Sequence, residues 1–301
     1  MAGDQNPRRS VYAALAANLA IFLAKSAAAV ISGSSAMLAE AIHSFADCGN
    51  QALLLLGMKL AKRPPSPSYP LGHGRAIYFW SFIVALVLFS LGGVFSIYEG
   101  AHKLSSPDPL SYPWVAVGIL VFGIAAETVS LRACLAEIAK VRGERSLWRW
   151  FRDSRQSELV VILGEDIAAE VGLALALIAV LATIVTGNPM FDALGSIAIG
   201  VVLVVVAIGL AIEIHGLLIG QSAEPETEAA IRGFIEQRPE VARVLRMITL
   251  QLGGNVMVAV KAHMRDENAS AMVSSINRVE AAVREAFPEI QWLFFEPDVT
   301  D

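Results

Sequence analysis

Apolar residues dominate six stretches of the chain, each long enough to form a membrane-spanning helix. A helix needs about 20 predominantly apolar residues to cross the ~30 Å hydrocarbon core of a bilayer. From about residue 221 the pattern changes to a charged, amphipathic one, which predicts a separate soluble domain. The six predicted spans are residues 11–31, 36–58, 77–99, 113–136, 158–186 and 191–219.

In the soluble segment, apolar and polar residues alternate with the periods of helices and strands, which predicts a small α+β domain. Two runs with a period of two residues are joined by Gly253 and Gly254, which predicts a β-hairpin. An amphipathic helix from Pro225, a longer helix over 270–287 and a short strand over 290–295 complete an αββαβ, ferredoxin-like order. Because a unit of about 80 residues buries little surface alone, we expect it to pair with a second copy as a dimerisation domain.

Composition supports a membrane protein. Of the 301 residues, 55% are hydrophobic and only 17% are charged, and the mean hydropathy is +0.57; these values are typical of membrane proteins. The formal net charge of −5 argues against nucleic acid as a partner.

Basic residues fall in alternate connections between the spans, which predicts the orientation of the chain. Lys and Arg side chains collect on the cytosolic side of membrane proteins. Both termini are therefore expected in the cytosol, with an N-terminal segment (1–10), a membrane domain (11–220) and a soluble domain (221–301). We expect the protein to lie in a cell (inner) membrane. The basic residues are Arg8, Arg9, Lys59, Lys62, Arg63, Arg75, Lys140, Arg142, Arg145, Arg149, Arg152 and Arg155.

A polar stripe interrupts the second span. Glu40, His43, Asp47 and Asn50 are spaced by three or four residues, so they share one face of a helix. Ionisable residues inside a membrane are costly and commonly mark an ion pathway. The alternative is a buried polar network that joins helices.

The fifth span carries a second stripe. Glu158, Ile162, Asp166 and Glu170 form a line at helical spacing. If the second and fifth spans are antiparallel neighbours, Asp166 lies near the depth of His43, and Glu170 is displaced outward toward Glu40. One imidazole and two carboxylates suit Zn²⁺, with Mn²⁺, Fe²⁺, Co²⁺ and Cd²⁺ as further candidates, better than Mg²⁺ or Ca²⁺.

Several motifs resemble the cation diffusion facilitator family of zinc and divalent-metal transporters, over nearly the whole chain and in the family's order. They are SGSSAMLAEAIHSFAD, YPLGHGRA, FDALGSIAIG and FFEPD. The segments HSFADCGNQ, GEDIAAEVG and TGNPMFDALGS are most similar to the zinc transporter nine branch.

The resemblance implies a homodimer that exports metal from the cytosol in exchange for protons. Carried over by residue, the transport site uses His43, Asp47 and Asp166. The family's usual fourth ligand, a histidine, is replaced here by Ile162, which cannot bind metal. Water, Glu165 or another carboxylate must then complete the coordination, and Glu165 is the preferred candidate.

Each of three further residues could have either a functional or a structural role. Glu127 in the fourth span is a ligand or proton carrier, or else the ion-pair partner of Lys25. His73 matches a loop motif of the family, but we expect a structural role for it because its neighbouring ligands are missing. His263 lies on the solvent face of a predicted strand and is a weak candidate for a regulatory metal ligand.

Proton and metal would compete for the same donor atoms, so metal affinity should fall as pH falls. An imidazole, with an ordinary pKa of about 6.5, suits this exchange. The sequence contains no nucleophile, nucleotide loop or cofactor motif, so we expect a transporter and not an enzyme. The alternatives are a non-transporting metal sensor or scaffold and an exporter of organic cations.

Overall fold

The computed structural model describes the backbone of residues 7–105, 109–265 and 268–300, and the side chains among them from residue 18 onward. Residues 1–6 of the predicted N-terminal segment and the side chains of Arg8 and Arg9 therefore lie outside the described part. The chain divides into two compact units. The second combines everything from Ile214 onward with Gly57–Phe79 and Arg145–Ser157, and the first holds the remaining residues.

Long helices make up the first unit and extend into the second. Each predicted span falls within a helical segment, because long apolar runs without Pro in their interior favour helix in a membrane. The helices up to residue 219 are α1 (Pro7–Ser32), α2 (Ser35–Ala61), α3 (Ala76–Val87), a π-helix (Leu88–Val94), α4 (Phe95–Ser105), α5 (Pro113–Val141), α6 (Leu147–Asp153), α7 (Ser157–Thr186) and α8 (Met190–Ile219).

Four helical segments within the described residues are long and apolar enough to cross a membrane: Ala76–Ser105, Pro113–Val141, Ser157–Thr186 and Met190–Ile219. The chain therefore contains a helical membrane domain. The first two spans stay predictions. Helix α2 carries the polar stripe, and α1 has its described apolar part at Asn18–Ser32.

A buried carboxylate fixes the start of α2. Asp192, in the first turn of α8, accepts hydrogen bonds from the Ser35 backbone N–H at 2.6 Å and the Ser35 hydroxyl at 2.9 Å, as well as from the Ser34 hydroxyl. The Lys103 ammonium lies 3.6 Å away. Asp192 thus satisfies one of the orphan N–H groups of α2 and interacts favourably with the positive end of its dipole. It fixes the N-terminus of the helix that carries the polar stripe.

The predicted αββαβ order of the soluble segment is confirmed. It contains α9 (Pro225–Glu236), β1 (Val241–Leu252), β2 (Asn255–Met264), α10 (Ala269–Ala286) and β3 (Ile290–Pro297). The sheet order is β1-β2-β3. Strand β2 is antiparallel to β1 and parallel to β3. The turn between β1 and β2 is at Gly253, whose φ of +67° suits glycine.

One face of β2 forms the core of this small domain. Val256, Val258, Val260 and Ala262 are buried, as their alternation predicts, and the opposite face leaves His263 exposed. The core of this C-terminal domain also contains residues of α9 and α10, including Ile231 and Val279, and Leu293 of β3. The pattern therefore identified the buried side of the strand correctly.

The FFEPD motif closes the sheet at its C-terminal end. Asp298 donates its backbone N–H to Ala262 O at 3.0 Å, and its carboxylate lies 2.7 Å from Lys261 Nζ. The hydrogen bond from Lys261, together with those from the Val299 and Thr300 backbone, lowers the pKa of Asp298 to about 2. This stabilisation is present above the ordinary Asp pKa and is lost only as pH falls toward about 2.

Candidate metal site in the membrane domain

The polar stripe of α2 is buried within the first unit. Glu40, His43 and Asn50 are fully buried, and the Asp47 side chain is 17% exposed. His43 Nδ1 and Asp47 Oδ1 are 3.6 Å apart, as their i, i+4 spacing on one helix face allows. An imidazole and a carboxylate therefore lie side by side in a predominantly apolar domain.

Helix α7 contacts α2 beside this pair. Asn50 Nδ2 donates a hydrogen bond to Glu165 Oε1 at 2.5 Å, and Glu165 is buried. The predicted proximity of the second and fifth spans is present in the structure. The contact brings Glu165, the preferred fourth ligand, to the α2 stripe.

The next residue along α7 faces a different helix. Asp166 Oδ1 accepts a hydrogen bond from Ser130 Oγ of α5 at 3.3 Å. Consecutive residues in a helix point about 100° apart, so α7 directs Glu165 toward α2 while it directs Asp166 toward α5.

The outer end of the α7 stripe contacts α5. Glu170, expected to lie outward toward Glu40, accepts a hydrogen bond from Thr128 Oγ1 of α5 at 2.8 Å. Gly172 of α7 lies against Glu40, since a Cβ added there would be 2.6 Å from Glu40 Oε1. The rotation of α7 about its axis explains both contacts, because Glu170 and Asp166 share a face that turns toward α5.

Glu127 of α5 lies near these carboxylates and interacts electrostatically with Lys25, Asp47 and Glu170.

The Lys25 ammonium donates hydrogen bonds to Glu40 at 3.1 Å and to Ser44 at 2.8 Å. An ion pair with Glu40 was not foreseen from the sequence. The only signal for it was a lysine inside an apolar stretch.

Many buried polar atoms at these helices have no hydrogen-bond partner within the described residues. They are Glu40 Oε1, both ring nitrogens of His43, Asp47 Oδ1, Asn50 Oδ1, Asp166 Oδ2 and Glu170 Oε2. All the oxygens in this set are acceptors. Buried acceptors without donors are costly, and either a cation or protons would satisfy them.

The side chains do not form a closed coordination shell. Over residues 18–105, 109–265 and 268–300, no three His, Cys, Asp or Glu side chains are gathered closely enough to hold a metal ion. Two helices carry the predicted ligands, His43 and Asp47 on α2 and Glu165 and Asp166 on α7, and the ligand set stays a prediction.

The pattern of apolar residues does not predict the π-helix. It interrupts a continuous helical segment at Leu88–Val94, and a Cβ on Gly92 would lie 4.0 Å from His43 Nδ1. π-helical turns inside α-helices are frequent at functional sites. The adjacent pair Gly92 and Gly93 was the available signal.

The two weak histidine candidates are elsewhere. His73 packs against Tyr69, with ring centroids 4.4 Å apart, and this contact supports the structural reading. His263 is exposed on β2, opposite Arg243 of β1. Neither belongs to a group of metal-ligating side chains within the described residues.

Comparison with known proteins points to membrane transport. The protein-family model that describes the cation efflux transmembrane domain matches residues 11–219 of this chain. The chain is 30% identical over 291 residues to the proton-coupled zinc antiporter SLC30A9, mitochondrial, of Xenopus laevis, covering 92% of this chain and 52% of that protein. The Homo sapiens protein of the same name is 32% identical over 252 residues, covering 83% of this chain and 44% of its own length.

Metal tolerance protein C4 of Arabidopsis thaliana is 26% identical over 349 residues, covering 99% of this chain and 76% of that protein. The chain thus spans about half the length of the animal antiporters that it matches.

Proposed function

Because the chain belongs to the cation efflux family, close to the zinc transporter nine branch of the cation diffusion facilitators, we propose that it exports a divalent transition-metal ion from the cytosol in exchange for protons. Zinc is the principal substrate. The observation that carries this proposal is the largely buried His43–Asp47 pair near Glu165 and Asp166, with buried acceptor atoms that lack donors within the described residues.

The proposed ligands are His43 and Asp47 from α2 and Asp166 from α7. Ile162 has no donor atom, so Glu165 supplies the fourth group. Asn50 already holds Glu165 toward α2. A modest rotation of α7 would bring Glu165 and Asp166 to one ion, since the two side chains now face different helices. One imidazole with carboxylates favours Zn²⁺, and Mn²⁺, Fe²⁺, Co²⁺ and Cd²⁺ are weaker candidate substrates.

Proton coupling follows from competition for the same lone pairs. A metal ion binds deprotonated ligands, so binding at neutral pH displaces protons and acidification weakens binding. An inward proton gradient can then drive metal outward. The proposed metal or proton path consists of the neighbouring polar residues Glu127, Glu170, Glu40 and Asn50.

The proposed topology has six spans, with both termini and the soluble domain in the cytosol, in a cell (inner) membrane. The domain boundaries are 1–10, 11–220 and 221–301. The protein is proposed to act as a homodimer that pairs through the αββαβ domain.

The proposed function is tested by the uptake of Zn²⁺, Mn²⁺ and Co²⁺ into vesicles that contain the purified protein, measured with and without a pH gradient. Zinc uptake that is independent of the gradient would contradict proton exchange.

Zinc binding should release protons. Titration of the purified protein with Zn²⁺ near neutral pH should give a heat that depends on the ionisation enthalpy of the buffer, and the number of protons released should fall in His43→Ala. The matched control is His263→Ala, which removes an exposed histidine of the soluble domain and should leave the proton count unchanged. Equal heats in all buffers would remove the chemical basis of antiport.

Restoring or removing the fourth ligand should change zinc affinity in opposite directions. Ile162→His adds an imidazole one turn before Asp166 and should tighten Zn²⁺ binding roughly tenfold, whereas Glu165→Gln should weaken it by a similar factor. Calorimetric dissociation constants of the two variants and the parent protein measure both effects. Unchanged affinity in both variants would make Glu127 the fourth ligand in place of Glu165.

A further inference from the structure

A lysine lies completely inside the membrane domain beside the candidate metal site. Lys25 of α1 is 1% exposed, and its ammonium is 3.1 Å from Glu40 Oε2 of α2. Ser44 accepts a second hydrogen bond from it at 2.8 Å. An ion pair so far from water persists only with close contacts and good hydrogen bonds.

Two glycines leave space for this pair. A Cβ on Gly123 of α5 would lie 3.7 Å from Lys25 Cε, and a Cβ on Gly172 of α7 would lie 2.6 Å from Glu40 Oε1. A side chain at either position would therefore crowd the pair, most severely at Gly172. The helices α1, α2, α5 and α7 all approach Lys25 and Glu40.

Glu40 has one oxygen bound to the lysine and one without a hydrogen-bond partner. Its Oε1 is buried and unpaired. Glu40 lies one helical turn from His43 on the same face of α2, and both Lys25 and Glu40 interact electrostatically with His43 and Asp47. Without Lys25, the Glu40 carboxylate would be an uncompensated buried anion next to the metal site, and it would attract a cation.

We propose that Lys25 is a positioning residue that determines metal selectivity, because its ammonium holds Glu40 out of the coordination shell. The ion then meets an imidazole and a limited number of carboxylates, which favours Zn²⁺. An additional carboxylate would make the shell richer in oxygen, which favours Mn²⁺. This inference rests on the proposed transport function.

The test compares Zn²⁺ and Mn²⁺ dissociation constants of the full chain, purified in detergent, by calorimetry at one pH. Lys25→Met frees Glu40 and should narrow the preference for Zn²⁺ over Mn²⁺ on the order of tenfold. Adding Glu40→Gln to Lys25→Met should return the ratio of the Mn²⁺ to the Zn²⁺ dissociation constant to the value of the parent protein, because the extra carboxylate is then gone. A purely structural role for Lys25 predicts no such rescue.

Two variants serve as matched controls. Lys25→Arg keeps the positive charge next to Glu40, and Ser44→Ala removes only one hydrogen bond of the ammonium. Both variants should have the same ratio of Mn²⁺ to Zn²⁺ dissociation constants as the parent protein. If Lys25→Met does not fold, Lys25→Gln replaces it, since a neutral amide can donate to Glu40 but leaves its charge uncompensated.

This inference alone would be overturned if Lys25→Met left the ratio of Mn²⁺ to Zn²⁺ dissociation constants unchanged. It would also be overturned if the ratio stayed reduced in the double variant of Lys25→Met and Glu40→Gln. A parent protein that binds neither ion would overturn the proposed function, and the inference with it.

Discussion

Replacing Asp47 by Ala should abolish zinc transport in reconstituted vesicles, while the protein should still fold and insert. Asp47 Oδ1 lies 3.6 Å from His43 Nδ1 and is buried without a hydrogen-bond partner. Water could fill the space left by the carboxylate, but it brings no negative charge to a divalent ion in a low-dielectric site. We expect the initial rate of zinc uptake to fall at least on the order of 100-fold.

The control for Asp47→Ala is Glu137→Ala. Glu137 is also a carboxylate on a long helix, α5, but it is 60% exposed and pairs with Lys140. Removing an exposed ion pair has little energetic effect, so Glu137→Ala should transport zinc at the parental rate. Size-exclusion profiles and orientation in the vesicles should be equal for the two variants. Parental transport in Asp47→Ala would refute the proposed ligand set.

Replacing Asp192 by Ala should lower the free energy of unfolding by about 3–5 kcal/mol, because it removes one partner of a buried charged network. Asp192 is fully buried and accepts hydrogen bonds from Ser34 and Ser35. Its loss also leaves the Lys103 ammonium, 3.6 Å away, without this carboxylate. Denaturant titration in detergent, followed by helical circular dichroism, measures the change.

Asn188→Ala is the matched control at the same end of α8. Its side chain accepts a hydrogen bond from the Met190 backbone N–H at 3.0 Å in an exposed position. The loss of an exposed helix cap costs about 1 kcal/mol. Equal destabilisation by Asn188→Ala and Asp192→Ala would show that Asp192 acts only as an ordinary cap.

The sequence alone determined the positions of the long helices, the hairpin and the polar stripe of α2. Each depends on residues that are close in the chain. Apolar length predicted the helices, alternation and two glycines predicted β1 and β2, and helical spacing placed His43 and Asp47 on one face. The burial of Val258 and the exposure of His263 followed from the same local alternation.

Only the tertiary structure decided which side chains meet across helices. Lys25 pairs with Glu40, Asp192 bonds Ser35 of α2, and Glu165 faces α2 while Asp166 faces α5. Helical periodicity fixes the angles between residues within one helix, but it does not fix the rotation of that helix about its axis relative to its neighbours. Packing fixes that rotation, because a glycine such as Gly172 admits a neighbouring carboxylate where a larger side chain would exclude it.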